Sequence, residues 1–200
     1  PKYRGQGPNV WPIANGDAET GQTIHWLDEG IDTGDIIAQK AMPLLPTDTG
    51  ATLGEKLERL GAELFIETWP LIASGTAPRI KQDDSQATYS VAPKRKHARI
   101  DWSKSAEEIG NLCRAFTSGK GAWARIGGKR LYVWEAEPYR GEPALEGDTP
   151  GQATGVTGKG VVVQTGGGSL LLVRTEVTQG GTDLLTALGG GLGSVPIILG

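Results

Sequence analysis

The chain has a single cysteine, a single methionine, two histidines and two phenylalanines among its 200 residues. With Cys113 alone, no disulfide can form within the chain, and no Cys/His spacing resembles a zinc site, so no metal is expected. Long apolar runs are missing too. A stretch such as Leu170-Leu171-Leu172-Val173 is far short of the roughly 20 residues that cross a bilayer, so no membrane association is expected. Neither sign of charge dominates: 20 Lys+Arg face 23 Asp+Glu, for a net charge of −3. Residues 1–97 hold 10 basic against 13 acidic side chains, and residues 98–200 hold 10 of each. Composition therefore does not demand a nucleic-acid partner. The lone cysteine fits a reducing, cytoplasmic setting. Met42 is the only methionine, so Pro1 is read as the start of a fragment rather than of translation.

What is present divides into two patterns. Apolar residues make up 38% of the chain, enough for a buried core. In residues 1–80 helical and strand-like segments alternate. Gly7-Pro8 followed by Val10, Trp11, Ile13 and Ala14 predicts a short helix ending at Asn15-Gly16. Residues 23–27 and 35–39 read as strands. Leu53, Leu57, Leu60, Leu64 and Leu71 mark the stripe of a long helix, capped by Thr52 with Glu55 and stopping near Ser74-Gly75. Residues 81–97 are polar, with Asp83-Asp84-Ser85, Pro93 and Lys94-Arg95-Lys96, and read as a linker. Beyond it, a helix is predicted over 103–116. Four strands follow in two glycine-turn hairpins, 122–126 with 131–137 and 160–165 with 169–177. Short strands at this spacing predict a small barrel or sandwich over 98–200, with Trp102, Trp123 and Trp134 read as core rather than as base-stacking platforms.

The first forty residues carry the chemistry. Pro1-Lys2-Tyr3-Arg4-Gly5, Asn15-Gly16-Asp17, Glu19-Thr20-Gly21, Thr23-Ile24-His25 and the run from Glu29 to Ile37 form one ordered constellation. Farther on stand Ile100-Asp101-Trp102, Arg114-Ala115 and Pro150-Gly151. In order and spacing this resembles the 10-formyltetrahydrofolate-dependent formyltransferases, the methionyl-tRNA formyltransferase group in particular. The resemblance spans nearly the whole chain and fades after about residue 180. It implies an α/β fold: the C-terminal half of a Rossmann-like formyltransferase domain, then a small OB-like barrel.

The same resemblance implies the roles. Asp32 would be catalytic, a positioned base for the proton of the attacking amine. The loop Asp28, Glu29, Gly30 and Ile31 would present its backbone to the pterin of the folate co-substrate. Arg4 and His25 would serve the acceptor. The family's catalytic Asn and His would lie five to seven positions before Pro1. Each assignment has a plainer reading beside it: residues 32–35 as an Asx-type turn, His25 as a packed strand residue, Arg4 as a solvated surface charge. The expected acceptor is methionyl-tRNA, with tRNA as partner. An amino-sugar nucleotide is the second candidate, because Gly7-Pro8-Asn9-Val10-Trp11 departs from the tRNA enzymes' pattern. A non-catalytic binding module is the third, and a monomer is expected. Gly158-Lys159 reads as a turn rather than a phosphate loop, Gly189 to Gly193 has no preceding strand, and Cys113 lies on an apolar helix face.

Overall fold

The computed structural model describes residues 2–119, 121–143, 148–178, 181–190 and 198–200. They form two compact units, Pro1–Pro93 and Lys94–Gly200.

In the first unit, the predicted helix is α1 (Trp11–Ala14), with proline in its first turn and Ile13 fully buried. Two strands, β2 (Glu19–His25) and β3 (Ile36–Pro43), pair antiparallel from Glu19↔Pro43 onward, with a register shift between Ile24 and His25. Helix α2 (Gly50–Ala73) packs along them. Its buried stripe is Leu53, Leu57 and Leu64, joined by Thr68. Two expectations for this helix are corrected. The cap is Thr49, one turn earlier than predicted: its extended backbone lets Thr49 and Thr52 exchange side-chain-to-amide bonds. Leu71, expected in the stripe, is exposed, because it follows Pro70 near the helix end where the buried face has run out. Gly75, at φ +71°, follows the last turn in the left-handed conformation open to glycine. A short parallel pair, β1 (Arg4–Gly5) with β4 (Tyr89–Ser90), ties the start of this unit to its end. The stretch expected as a linker is thus divided: residues 81–93 belong to the first unit, and residues 94–97 open the second.

The second unit has its own core. Helix α3 (Ala106–Ala115) starts at Ser105, which exchanges a capping box with Glu108, and turns Ile109 and Cys113 inward. It packs on β6 (Lys129–Tyr139) and β9 (Ser169–Val177) of a five-stranded sheet that also holds β5 (Ala122–Ile126), β7 (Ala153–Thr157) and β8 (Gly160–Gln164), in the order β5-β6-β9-β8-β7. Gly127 and Gly128, at φ +52° and +78°, make the tight turn between β5 and β6. Strand β7 and a one-turn helix α4 (Leu184–Ala187) were not anticipated, since Gly155 and Thr157 blur the alternation in β7. Leu131, Val133, Val161, Val163, Leu170 and Leu172 fill the core with almost no exposure.

The expected closed barrel is not what the described residues form. Their sheet is open, with β5 and β7 as its two edges. Both edge strands are only five residues long, and the chain end lies between them: Leu199 bonds Gly151 ahead of β7, and Gly200 bonds Arg125 of β5. Trp102 is buried in the core as expected, but Trp123 and Trp134 lie on the outer face, because Ala122, Ala124 and Val133 take the inward positions of the alternating strands. Part of the glycine run at 189–193 lies outside the described residues.

Two substitutions test where stability resides. Leu170→Ala should lower unfolding stability by about 2–5 kcal/mol in denaturant titration, because its site is fully enclosed. Ser105→Ala should cost about 1 kcal/mol by removing the α3 cap. That cap holds the Glu108 carboxyl below its usual range, first through the Ser105 amide and then its hydroxyl. Its contribution is present above the ordinary glutamate range and is lost as pH falls, so the S105A deficit should shrink in acid.

Candidate active site

The site grows out of the connection between β2 and β3. Strand pairing continues past His25 by one further bond, from the Trp26 amide to the Asp35 carbonyl, at 2.9 Å. The eight residues in between must therefore close a compact loop. Asp28 organises it: one carboxylate oxygen accepts from the Gly30 amide at 3.1 Å and from the Thr33 hydroxyl at 2.6 Å. These bonds, the Thr33 hydroxyl foremost, hold the Asp28 carboxyl below its usual range, with smaller help from the charges of His25 and Arg4. Gly34 is buried beneath the loop, and a Cβ there would sit 1.6 Å from the Trp26 carbonyl oxygen. Only glycine permits that approach. Above it, Asp28, Glu29, Gly30 and Ile31 form an exposed rim, with Ile31 presenting an apolar side chain to solvent.

Asp32 stands at the base of this rim in the left-handed region, φ +55°, a conformation uncommon outside glycine. Three groups meet it. The Gly5 amide donates to one carboxylate oxygen at 2.6 Å. In the parallel β1–β4 pair, the amides of Arg4 and Gln6 point at β4, so that of Gly5 points the other way and is free for this bond. The other carboxylate oxygen lies 3.6 Å from Nε2 of His25. The third partner meets the main chain: the side-chain amide of Gln82 donates to the Asp32 carbonyl at 2.9 Å and to the Gly34 carbonyl at 2.7 Å.

His25 is oriented from its far side. Its Nδ1 is 2.8 Å from the Trp26 carbonyl oxygen, which can only accept, so the partners assign a proton to Nδ1. Nε2 is thereby left facing the Asp32 carboxylate. A ring protonated on both nitrogens donates to both neighbours at once. His25 and Asp32 are partly exposed, so the pair borders solvent.

Arg4 takes a place its sequence did not disclose. Its side chain is only 4% exposed. Nε and Nη2 donate to Gln82 Oε1 at 3.2 and 2.8 Å, Nη2 also to Asp84 at 2.7 Å, and Nη1 to the Tyr89 hydroxyl at 3.1 Å. With its donors so engaged, Arg4 braces the frame of the site, and direct binding of an acceptor is not the geometry observed. Its neighbour Tyr3 also has positive φ, +62°, and its hydroxyl donates to Asp17 while accepting from Asn15. Burial and Asp17 together push the Tyr3 hydroxyl up to about 12. The structure thus gathers His25, Asp32, the Asp28 loop and the Gly5 backbone, and links Arg4 to them through Gln82. Gln82 was missed by the sequence reading: it falls in a polar stretch without periodicity, and nothing local marks its side chain.

Comparison with known proteins accounts for both units. Residues 1–69 match the family model described as formyl transferase, and residues 94–187 match that of the formyl transferase C-terminal domain. The chain is 38% identical over 180 residues to the methionyl-tRNA formyltransferase of Anaeromyxobacter sp. (strain K), covering 90% of this chain and 57% of that protein. It therefore spans little more than half the length of such curated relatives. Among solved structures, an N-formyltransferase from Helicobacter canadensis, in complex with folinic acid and dTDP-3-aminofucose, superposes with a TM-score of 0.68 at 24% identity, over 86% of this chain and 62% of that one. HypX from Aquifex aeolicus, in complex with tetrahydrofolic acid, superposes with a TM-score of 0.66 at 21% identity, over 96% of this chain and 34% of the other. Both units are matched in this way, and the chain belongs to the formyl transferase family.

Proposed function

We propose that this chain serves the transfer of a formyl group from 10-formyltetrahydrofolate to the amino group of methionyl-tRNA. The observation that carries the reading is the Asp32 carboxylate, fixed by the Gly5 amide and facing His25 at the foot of an exposed loop. The folate supplies the activated formyl carbon and leaves as tetrahydrofolate when its N10–formyl bond breaks, N10 taking up the proton that the amine gives off. Attack by an amine leaves a surplus proton on nitrogen, and a carboxylate held in place and partly open to solvent can take it. His25, held by the Trp26 carbonyl, can share that proton through Nε2. The rim Asp28–Ile31 suits the pterin: its residues are exposed, its shape is held from below by Asp28 and Thr33, and Ile31 offers an apolar surface. Arg4 acts in this reading by bracing β1 rather than by touching the acceptor.

The second unit favours the tRNA acceptor. Its outer sheet face carries Trp123, Tyr132 and Trp134 among arginines: Arg130 lies 4.7 Å and Arg99 5.8 Å from the Trp123 ring, Arg95 5.6 Å from Tyr132, and Arg174 5.5 Å from Trp134. Guanidinium groups spread over aromatic rings suit phosphates and bases, and a small sugar nucleotide would need far fewer. The amino-sugar reading keeps its own support in the Helicobacter canadensis enzyme solved with dTDP-3-aminofucose. In either reading the first unit is the later part of a Rossmann-like catalytic domain, the second is OB-like, and the protein works as a cytoplasmic monomer.

The direct test uses a polypeptide carrying residues 1–200 with whatever precedes and follows them in its gene, offered 10-formyltetrahydrofolate, methionyl-tRNA and dTDP-amino sugars side by side. Formylation of the tRNA, reduced about 10²–10⁴-fold in Asp32→Asn, is the expected result. Formylation of the sugar alone would transfer the mechanism to the other acceptor. Failure with both would overturn the reading. Separately, Arg99→Ala with Arg130→Ala should weaken tRNA binding and lower the slope of log K against log salt by about 1 for each phosphate no longer neutralised. An unchanged slope would remove this face from the tRNA interface.

A further inference from the structure

We propose that Gln82 is the positioning residue for Asp32, a role that rests on the formyl-transfer reading above. Its side-chain amide makes four bonds, and the chemistry of the partners leaves one orientation. Arg4 can only donate, so the atom it meets at 3.2 and 2.8 Å is the amide oxygen. The carbonyls of Asp32 and Gly34 can only accept, so the atom they meet at 2.9 and 2.7 Å is the amide nitrogen, with both hydrogens in use. Those two carbonyls flank Thr33. The glutamine therefore clamps the chain on both sides of one residue, directly after the point where Asp32 turns through φ +55°. Its oxygen is held in turn by a buried arginine anchored to Asp84 and Tyr89. Asp32 is thus fixed twice from the first strand: through its carboxylate by the Gly5 amide, and through its backbone by Arg4 and Gln82. Gln82 faces Arg4 and the loop backbone, and it acts on Asp32 through the conformation of the loop.

The two halves of the amide can be separated. Gln82→Glu keeps the oxygen acceptor for Arg4 and loses both donors at neutral pH, whereas Gln82→Met loses everything. Asp32→Asn weakens the charge-assisted bond from Gly5 and serves as the reference. The measurement is amide hydrogen exchange by NMR on this chain, read at Gly5, with the β2–β3 amides and Val163 as internal controls. Gly5 should lose at least tenfold protection in Q82E and in Q82M, approaching the D32N value, while the controls hold. Wild-type protection at Gly5 in Q82E would overturn the proposal, since the glutamine would then serve Arg4 alone. Even loss across β2 and β3 would also overturn it, because Gln82 would be holding the fold rather than the loop. In the formyl-transferring polypeptide, Q82E should lower kcat at least tenfold with the KM for the acceptor little changed. The exchange experiment uses neither folate nor acceptor, so its outcome is independent of whether formyl transfer itself is observed.

Discussion

The bond from the Gly5 amide to the Asp32 carboxylate joins two parts of the chain that share no element of secondary structure. One end belongs to a two-residue strand whose partner lies more than eighty residues on, and the other to a loop between β2 and β3. Hydrogen bonds to a charged group are the stronger kind, and here one also sets direction. With one oxygen of Asp32 committed to Gly5, the other is left toward His25. That orientation requires the loop backbone to run left-handed at Asp32, which in turn requires partners for carbonyls turned out of the β-ladder. Gln82 is such a partner.

Support for the site is layered rather than concentrated in one element. Asp28 shapes the rim, Gly34 lets it lie flat on the Trp26 carbonyl, and Gln82 clamps it from the side. Arg4 shows why charge alone is a poor guide to role. A guanidinium with four bonds to Gln82, Asp84 and Tyr89 at 4% exposure has little left for a ligand. In the second unit, exposed arginines lie instead over aromatic rings, Arg95 over Tyr132 and Arg99 over Trp123. Among the described residues, the non-glycine positions at positive φ are Tyr3 and Asp32, which sit close along the chain to the two ends of the Gly5 bond.

Much of the fold was readable in the residues because the signals were local. Proline and glycine punctuated α1, α2 and the hairpins, and alternation marked β5, β6, β8 and β9. Readings failed where a local rule had two equivalent solutions or a non-local partner. Thr49 and Thr52 are both plausible caps, and only the extended backbone at Thr49 selects it. Residues 81–93 lack periodicity because a two-residue strand and a bracing side chain need none. Trp123 and Trp134 look like core residues by type, yet the register of β5 and β6 puts alanine and valine inside.

By itself the sequence determined the positions of α1, α2 and α3 and of β2, β3, β5, β6, β8 and β9, the Asp-rich loop between two strands and the membership in a family, since each rests on residue types at fixed spacing along the chain. Tertiary structure alone decided that His25 faces Asp32, that Arg4 turns inward, that Gln82 closes the loop, and that the described residues of the second unit form an open sheet. The physical reason is distance along the chain. Gln82 lies fifty residues from Asp32, and Thr88 to Ser90 more than eighty from Arg4 and Gly5. Bonds over such separations exist only in the folded chain, where β1, β4 and the loop after β2 lie side by side.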